Sequence, residues 1–158
     1  MPAFYDGRVL TGESRSMTHG SGADVLTNTY EVAIWEGRYG DTSAAAEAGA
    51  GVSDPGNAIN GLPFTDFSLV WSNGDATYGT TVQIWVHNQV AKPATNPTDM
   101  DAAAYGWAQL GSDTVVASAS AEAVQWTGRY RWITVLAKAN DVAGVSGQSG
   151  VLMMTNPE

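Results

Sequence analysis

The sequence predicts an all-β chain folded as an antiparallel β-sandwich, preceded by an irregular N-terminal arm. Three observations predict it. Short stretches alternate apolar and polar residues at period two, turn-forming Gly, Pro, Asn and Asp recur between them, and most of the chain lacks the helical periodicity that parallel crossovers need. A length of 158 residues suits one domain with an arm, since a sandwich of roughly 100 residues or more buries a self-sufficient core. We divide the chain into an arm or lead-in, residues 1–27, and a sandwich domain, residues 28–158.

The lead-in is poor in periodicity and ends in Thr18-His19-Gly20-Ser21-Gly22, a run of turn formers. From Asn28 the pattern changes: in Thr29–Trp35, Tyr30, Val32 and Ile34 fall on one face of a strand. Glu36 to Asp41 reads as a turn. Residues 42–50, rich in Ala, form the one plausible helix, and Pro55 and Gly56 forbid its continuation. A strand over Phe67–Trp71 enters Asn73-Gly74-Asp75, where Asn-Gly offers the positive φ of a tight turn. The next strand, Thr80–His87, alternates cleanly, with Val82, Ile84 and Val86 facing inward.

Residues 91–103 form a loop, because Pro93 and Pro97 have no N–H for a central ladder. Two short strands follow, Trp107–Gly111 and Thr114–Ser118, then another over Glu122–Trp126. The most apolar strand is Arg129–Ala137. Both its faces carry large side chains, which implies a central strand buried on two sides, with Trp132, which alternates with Tyr130, in the core. A Gly/Ser loop from Gly144 to Gly150 leads into the last strand, Val151–Met154. One internal echo, Trp35-Glu36-Gly37-Arg38-Tyr39 and Trp126-Thr127-Gly128-Arg129-Tyr130, reads as shared turn chemistry.

Charge narrows the function. Seven basic residues stand against sixteen acidic ones, a net charge of −9. A nucleic-acid binder displaces counterions with a basic patch, but here Arg8, Arg15, Arg38, Lys92, Arg129, Arg131 and Lys138 are scattered. We therefore expect no nucleic-acid partner and no attraction to an anionic membrane. No apolar run approaches the ~20 residues that cross a bilayer, and the start lacks the basic and apolar regions of a signal peptide, so synthesis in the cytoplasm is expected. Only 15% of residues are charged, and Gly, Ala, Ser and Thr take their place, a composition suited to surfaces that neighbours cover.

No catalytic constellation stands out. His19 and His87 are the whole supply of imidazole, neither has a ligand partner two or four residues on, and cysteine is absent. Surface roles are expected for both histidines. Gly144-Val145-Ser146-Gly147-Gln148 lacks the last glycine of a nucleophile elbow, and Gly49-Ala50-Gly51-Val52-Ser53-Asp54 lacks the last glycine of a dinucleotide loop. Asp99-Met100-Asp101 and Asn73-Gly74-Asp75 do not continue into a calcium loop. No pair among the sixteen carboxylates is singled out for glycoside hydrolysis. The sequence thus assigns no catalytic, cofactor-binding or metal-ligating residues, no cofactor and no enzyme activity.

Six tryptophans are the unusual feature. Each can bury ~150–250 Å² in a core or an interface. Trp35 and Trp85 fall on the strand faces opposite their apolar neighbours, and would cover themselves with a second sheet, a neighbouring subunit or a stacked sugar ring.

A pattern extends over residues 66–154. A strand and an Asn-Gly-Asp turn lead to Thr81-Val82-Gln83-Ile84-Trp85-Val86. A polar loop, Trp107-Ala108-Gln109-Leu110-Gly111, a small-residue strand and Arg129-Tyr130-Arg131-Trp132-Ile133-Thr134-Val135 then follow. In this order the chain resembles the immunoglobulin-like or jelly-roll sandwich modules of tailed-bacteriophage virion proteins: capsid decoration proteins, head fibres and tail appendages. The resemblance covers a little over half of the chain and implies a non-enzymatic virion structural protein. It would be a capsid decoration or minor capsid protein forming a homo-oligomer, with a major capsid or other virion protein as partner. Phe4, Tyr5, Trp35 and Trp85 are the expected contact residues. The alternative is a receptor- or carbohydrate-binding module of a tail fibre or surface protein, using exposed Trp rings.

Overall fold

The computed structural model describes residues 13–18, 26–32, 34–35, 58–91, 93 and 106–156. They form strands β1 (Glu13–Thr18), β2 (Glu31–Val32), β3 (Ile34–Trp35), β4 (Ile59–Asn60), β5 (Asp66–Asn73), β6 (Thr80–His87), β7 (Ala108–Val116), β8 (Ser120–Thr127), β9 (Trp132–Ala139) and β10 (Gln148–Thr155). No helix occurs among the described residues, and so none long and apolar enough to cross a membrane. The strands form two antiparallel sheets, ordered β3-β1-β10-β5-β8 and β2-β9-β6-β7, with β4 also pairing β9. The architecture is the all-β sandwich that the alternation predicts.

The core lies between the sheets and follows from period two. On β5, Phe67, Leu69 and Trp71 are buried, while Ser68, Val70 and Ser72 take the opposite face. Val82, Ile84 and Val86 of β6 point inward as expected, and meet Ile133, Val135 and Ala137 of β9 and Leu152 and Met154 of β10 in one cluster. Near one end, polar side chains enter this core fully paired. Gln148 Oε1 accepts from Trp71 Nε1 (3.0 Å) and Thr80 Oγ1 (2.9 Å), and Gln148 Nε2 donates to Asn73 Oδ1 and to the Ser146 carbonyl. Burial without such partners would cost each group roughly 1–3 kcal/mol.

Several elements differ from the sequence reading. The strand expected over 29–35 divides: β2 pairs β9 in the second sheet, and β3 pairs β1 in the first. Alternation persists when a strand passes from one sheet to the other, so periodicity does not show the switch. The two short strands expected over 107–118 are one, β7. Between Leu110 and Thr114 it carries three residues opposite Gln83 of β6, a bulge entered through Gly111 at φ +67°.

Asn73 and Gly74 make no Asn-Gly hairpin, and neither has a positive φ. Asn73 is buried, with its amide donating to the carbonyls of Tyr78 (2.9 Å) and Ala117 (3.1 Å), because this loop joins the two sheets rather than neighbouring strands. The most apolar strand begins at Trp132, not Arg129, and residues 133–137 are buried on both faces as expected. Within the lead-in, β1 pairs β10 over its whole length, and Leu26, 0% exposed, bridges Val145. The expected helix over 42–50, the turn over 36–41, His19 and the Asp99–Asp101 pair lie outside the described residues.

Candidate interaction surfaces

The outward face of the first sheet is assembled by register. Asp66 of β5 stands between Thr127 of β8 and Thr155 of β10, and Ser68 between Gln125 and Met153. Val70 lies between Ala123 and Val151, and Ser72 between Ala121 and Ser149. Asp66 is the single charge in these four rows, in a chain with sixteen acids. Val70, Val151 and Met153 are 36%, 37% and 48% exposed there. The backbone of β1 extends the face, with Ser14, Ser16 and Thr18 paired to Met153, Val151 and Ser149. At one end small Ser68 leaves a depression of about 640 Å³ among Asp66, Gln125, Thr127, Met153 and Thr155.

The outward face of the second sheet is polar at one side and aromatic at the other. The bulge carries Asp113 back over the sheet, where Oδ2 accepts from Tyr30 Oη (2.8 Å) and Oδ1 accepts from Gln83 Nε2 (2.8 Å) and Gln109 Nε2 (2.9 Å). The Lys138 ammonium lies over the Tyr30 ring, 4.7 Å from its centroid. Burial opposes ionisation of Asp113. The three hydrogen bonds and the Lys138 charge outweigh it and hold the carboxyl below its ordinary range. Burial, the hydrogen bond to Asp113 and its charge push the Tyr30 phenol upward.

Beside this network sits a second apolar cluster. Trp107 is buried with Ala58, and Trp85 and Trp132 pack against them, partly exposed. Trp132 therefore belongs to this outer cluster rather than to the core: it is on the strand face opposite Ile133, and its Nε1 donates to the Gln89 carbonyl (3.1 Å). The surface role expected for His87 does not hold. The ring is 8% exposed, edge-on to Trp107 at 5.3 Å, and Nδ1 accepts from the Gln89 amide at 3.0 Å. It is buried because Trp107 and Gly106, φ +82°, close over the strand end. A Cβ at Gly106 would come 2.6 Å from His87 Nε2.

Of the four expected contact residues, Trp85 lies in mid-β6, half-buried, its Nε1 bonded to Gln83 Oε1 at 3.0 Å. Trp35 closes β3, its backbone paired with Met17. Phe4 and Tyr5 lie outside the described residues. The sequence reading did not pick out Val70, Val151 and Met153. The signal was present: the outward positions of Asp66–Asn73 and Gln148–Thr155 are almost free of charge in an acidic chain. Among the described residues, no group of three or more His, Asp or Glu is placed to hold a metal ion. No protein-family model matches the chain, and no curated protein matches it.

Proposed function

We propose that this chain is a non-enzymatic structural protein of a bacteriophage virion, a capsid decoration or minor capsid protein that packs against neighbouring subunits. The observation that carries the packing role is the outward face of the first sheet, with one carboxylate in its four rows and Val70, Val151 and Met153 exposed. A net charge of −9 keeps copies and other acidic proteins apart at long range. This face contributes a single charge to that repulsion in its four rows, and apolar area is gained there on contact. The particle itself is assigned from the resemblance of residues 66–154 to phage sandwich modules. The partner is a major capsid or other virion protein.

Sedimentation with empty capsids of a tailed phage, stripped of minor proteins, tests the reading. The protein should pellet with the particles, and Val151→Lys, a change at an exposed strand position, should bind at least tenfold more weakly with unchanged circular dichroism. Protein that stays in the supernatant, or a variant that binds as well as the parent, sinks it. A second reading, a glycan-binding module, has one observation behind it: the part-exposed Trp85 ring beside Gln83, Gln109 and Asp113. Each of its donor groups already makes one bond within the chain, which leaves fewer for sugar hydroxyls. Glycan binding that is lost in Trp85→Ala would favour it.

A further inference from the structure

We propose that β8 pairs antiparallel with β8 of a second copy of this chain, about a two-fold axis at Val124, joining two first sheets into one. This deepens the packing role just proposed by naming one partner, and it rests on that reading.

The two edges formed by β7 and β8 differ in a way that points to β8. An edge strand offers a row of N–H and C=O groups to any added strand, and monomeric proteins blunt it with bulges, proline, lysine or short length. At the edge of the second sheet, β7 is interrupted by the three-residue bulge and Gly111. At the edge of the first sheet, β8 keeps unbroken register with β5 over all eight residues, from Ser120 to Thr127. It holds no Pro, Lys or Arg, and Glu122 is its single charge. Among the described residues no strand pairs its other side.

The sequence of β8 suits its own copy. In a sheet continued through a two-fold axis, facing residues share a face, so the axis passes through a residue. With the axis at Val124, Val124 meets itself, Ala123 meets Gln125, Ala121 meets Thr127 and Glu122 meets Trp126. The two Glu122 carboxylates then lie about 14 Å apart along the strands, beyond a Debye length of about 8 Å at physiological salt. Trp126 also gains a neighbour that can accept a hydrogen bond. Its Nε1 is buried and has no partner among the described residues, although its ring stacks on Phe67 at 5.4 Å.

The absence of cysteine gives a clean test with the protein alone. Light scattering over a concentration series should approach twice 16.5 kDa. Facing Cα atoms at the axis lie ~4.5–5.5 Å apart, inside the range a disulfide spans, whereas positions three residues from the axis are separated by about 20 Å. Mild oxidation should therefore cross-link Val124→Cys at least tenfold faster than Ala121→Cys. A monomer at every concentration overturns the pairing, and so does a dimer in which the two variants cross-link alike. Neither readout uses capsids, so failure here is distinct from failure to bind particles.

Discussion

Gln148 is 5% exposed and touches both sheets: Trp71 and Asn73 on β5 of the first, Thr80 on β6 of the second. Its amide answers three buried side chains at once. Replacement by Leu keeps much of the volume but strands the Trp71 indole N–H, the Thr80 hydroxyl and one side of Asn73. We expect a loss of about 3–5 kcal/mol, read by chemical denaturation. Thr134 is the opposite case. It is 0% exposed, and its Oγ1 has no partner among the described residues. Thr134→Val removes an unsatisfied hydroxyl at nearly constant shape and should leave stability unchanged or raise it by up to about 1 kcal/mol. A large loss in the second variant would show that the hydroxyl has an acceptor after all. Nothing in the sequence marks either residue. Gln148 looks like part of a Gly/Ser loop, and Thr134 like any β-branched strand residue, because both roles depend on contacts across the sandwich.

At the scale of elements, local alternation made β5 and β6 legible, since a strand with one buried face announces itself at period two, and large apolar residues on both faces marked β9 as a central strand. The divided β2–β3 segment and the bulge in β7 were not legible, since each is defined by which partner a strand pairs with. The bulge has a chemical consequence, for it brings Asp113 under the Tyr30 hydroxyl and ties the segment before β2 to the edge strand. The Asp113 carboxyl is held below its ordinary value, so its folded form binds a proton less readily than its unfolded form. The stability it contributes is complete above the unfolded value of 3.8 and is lost as pH falls through the folded value. Tyr30 is shifted the other way: its contribution is complete below the unfolded value of 10.0 and declines as pH rises beyond it. Asp113→Asn should flatten the acid limb of the stability profile below about pH 4 and lower the Tyr30 ionisation toward its ordinary value of 10.0. The phenolate absorbance titration reads the second effect, with Tyr30→Phe identifying the late-titrating group. An unchanged titration in Asp113→Asn would refute the coupling.

Across the whole molecule, successive strands rarely stay together. From β5 the chain enters the second sheet at β6, returns to the first at β8, crosses again to β9 and comes back at β10. Each crossing lays residues of both sheets into one cluster: Leu69 and Leu152 from the first, Val82 and Ile133 from the second. A sheet separated from the other would expose this shared face and break the Thr80–Gln148 bond that crosses between them, so partial unfolding gains little chain entropy for a large loss of burial. The fold class was legible because alternation and turn spacing report this two-layer burial. The functional surface was less so, because it is marked by missing charge, which becomes a patch only once strand order sets Ser68, Val70 and Ser72 between their neighbours. The interlocked topology predicts one unfolding transition. Leu152→Ala in one sheet and Ile133→Ala in the other, both 0% exposed, should each cost about 2–5 kcal/mol. In each variant, tryptophan fluorescence and far-ultraviolet circular dichroism should move together along the denaturant axis. If Leu152→Ala instead splits the two signals into separate transitions, the sheets unfold independently and the sandwich is not a single cooperative unit.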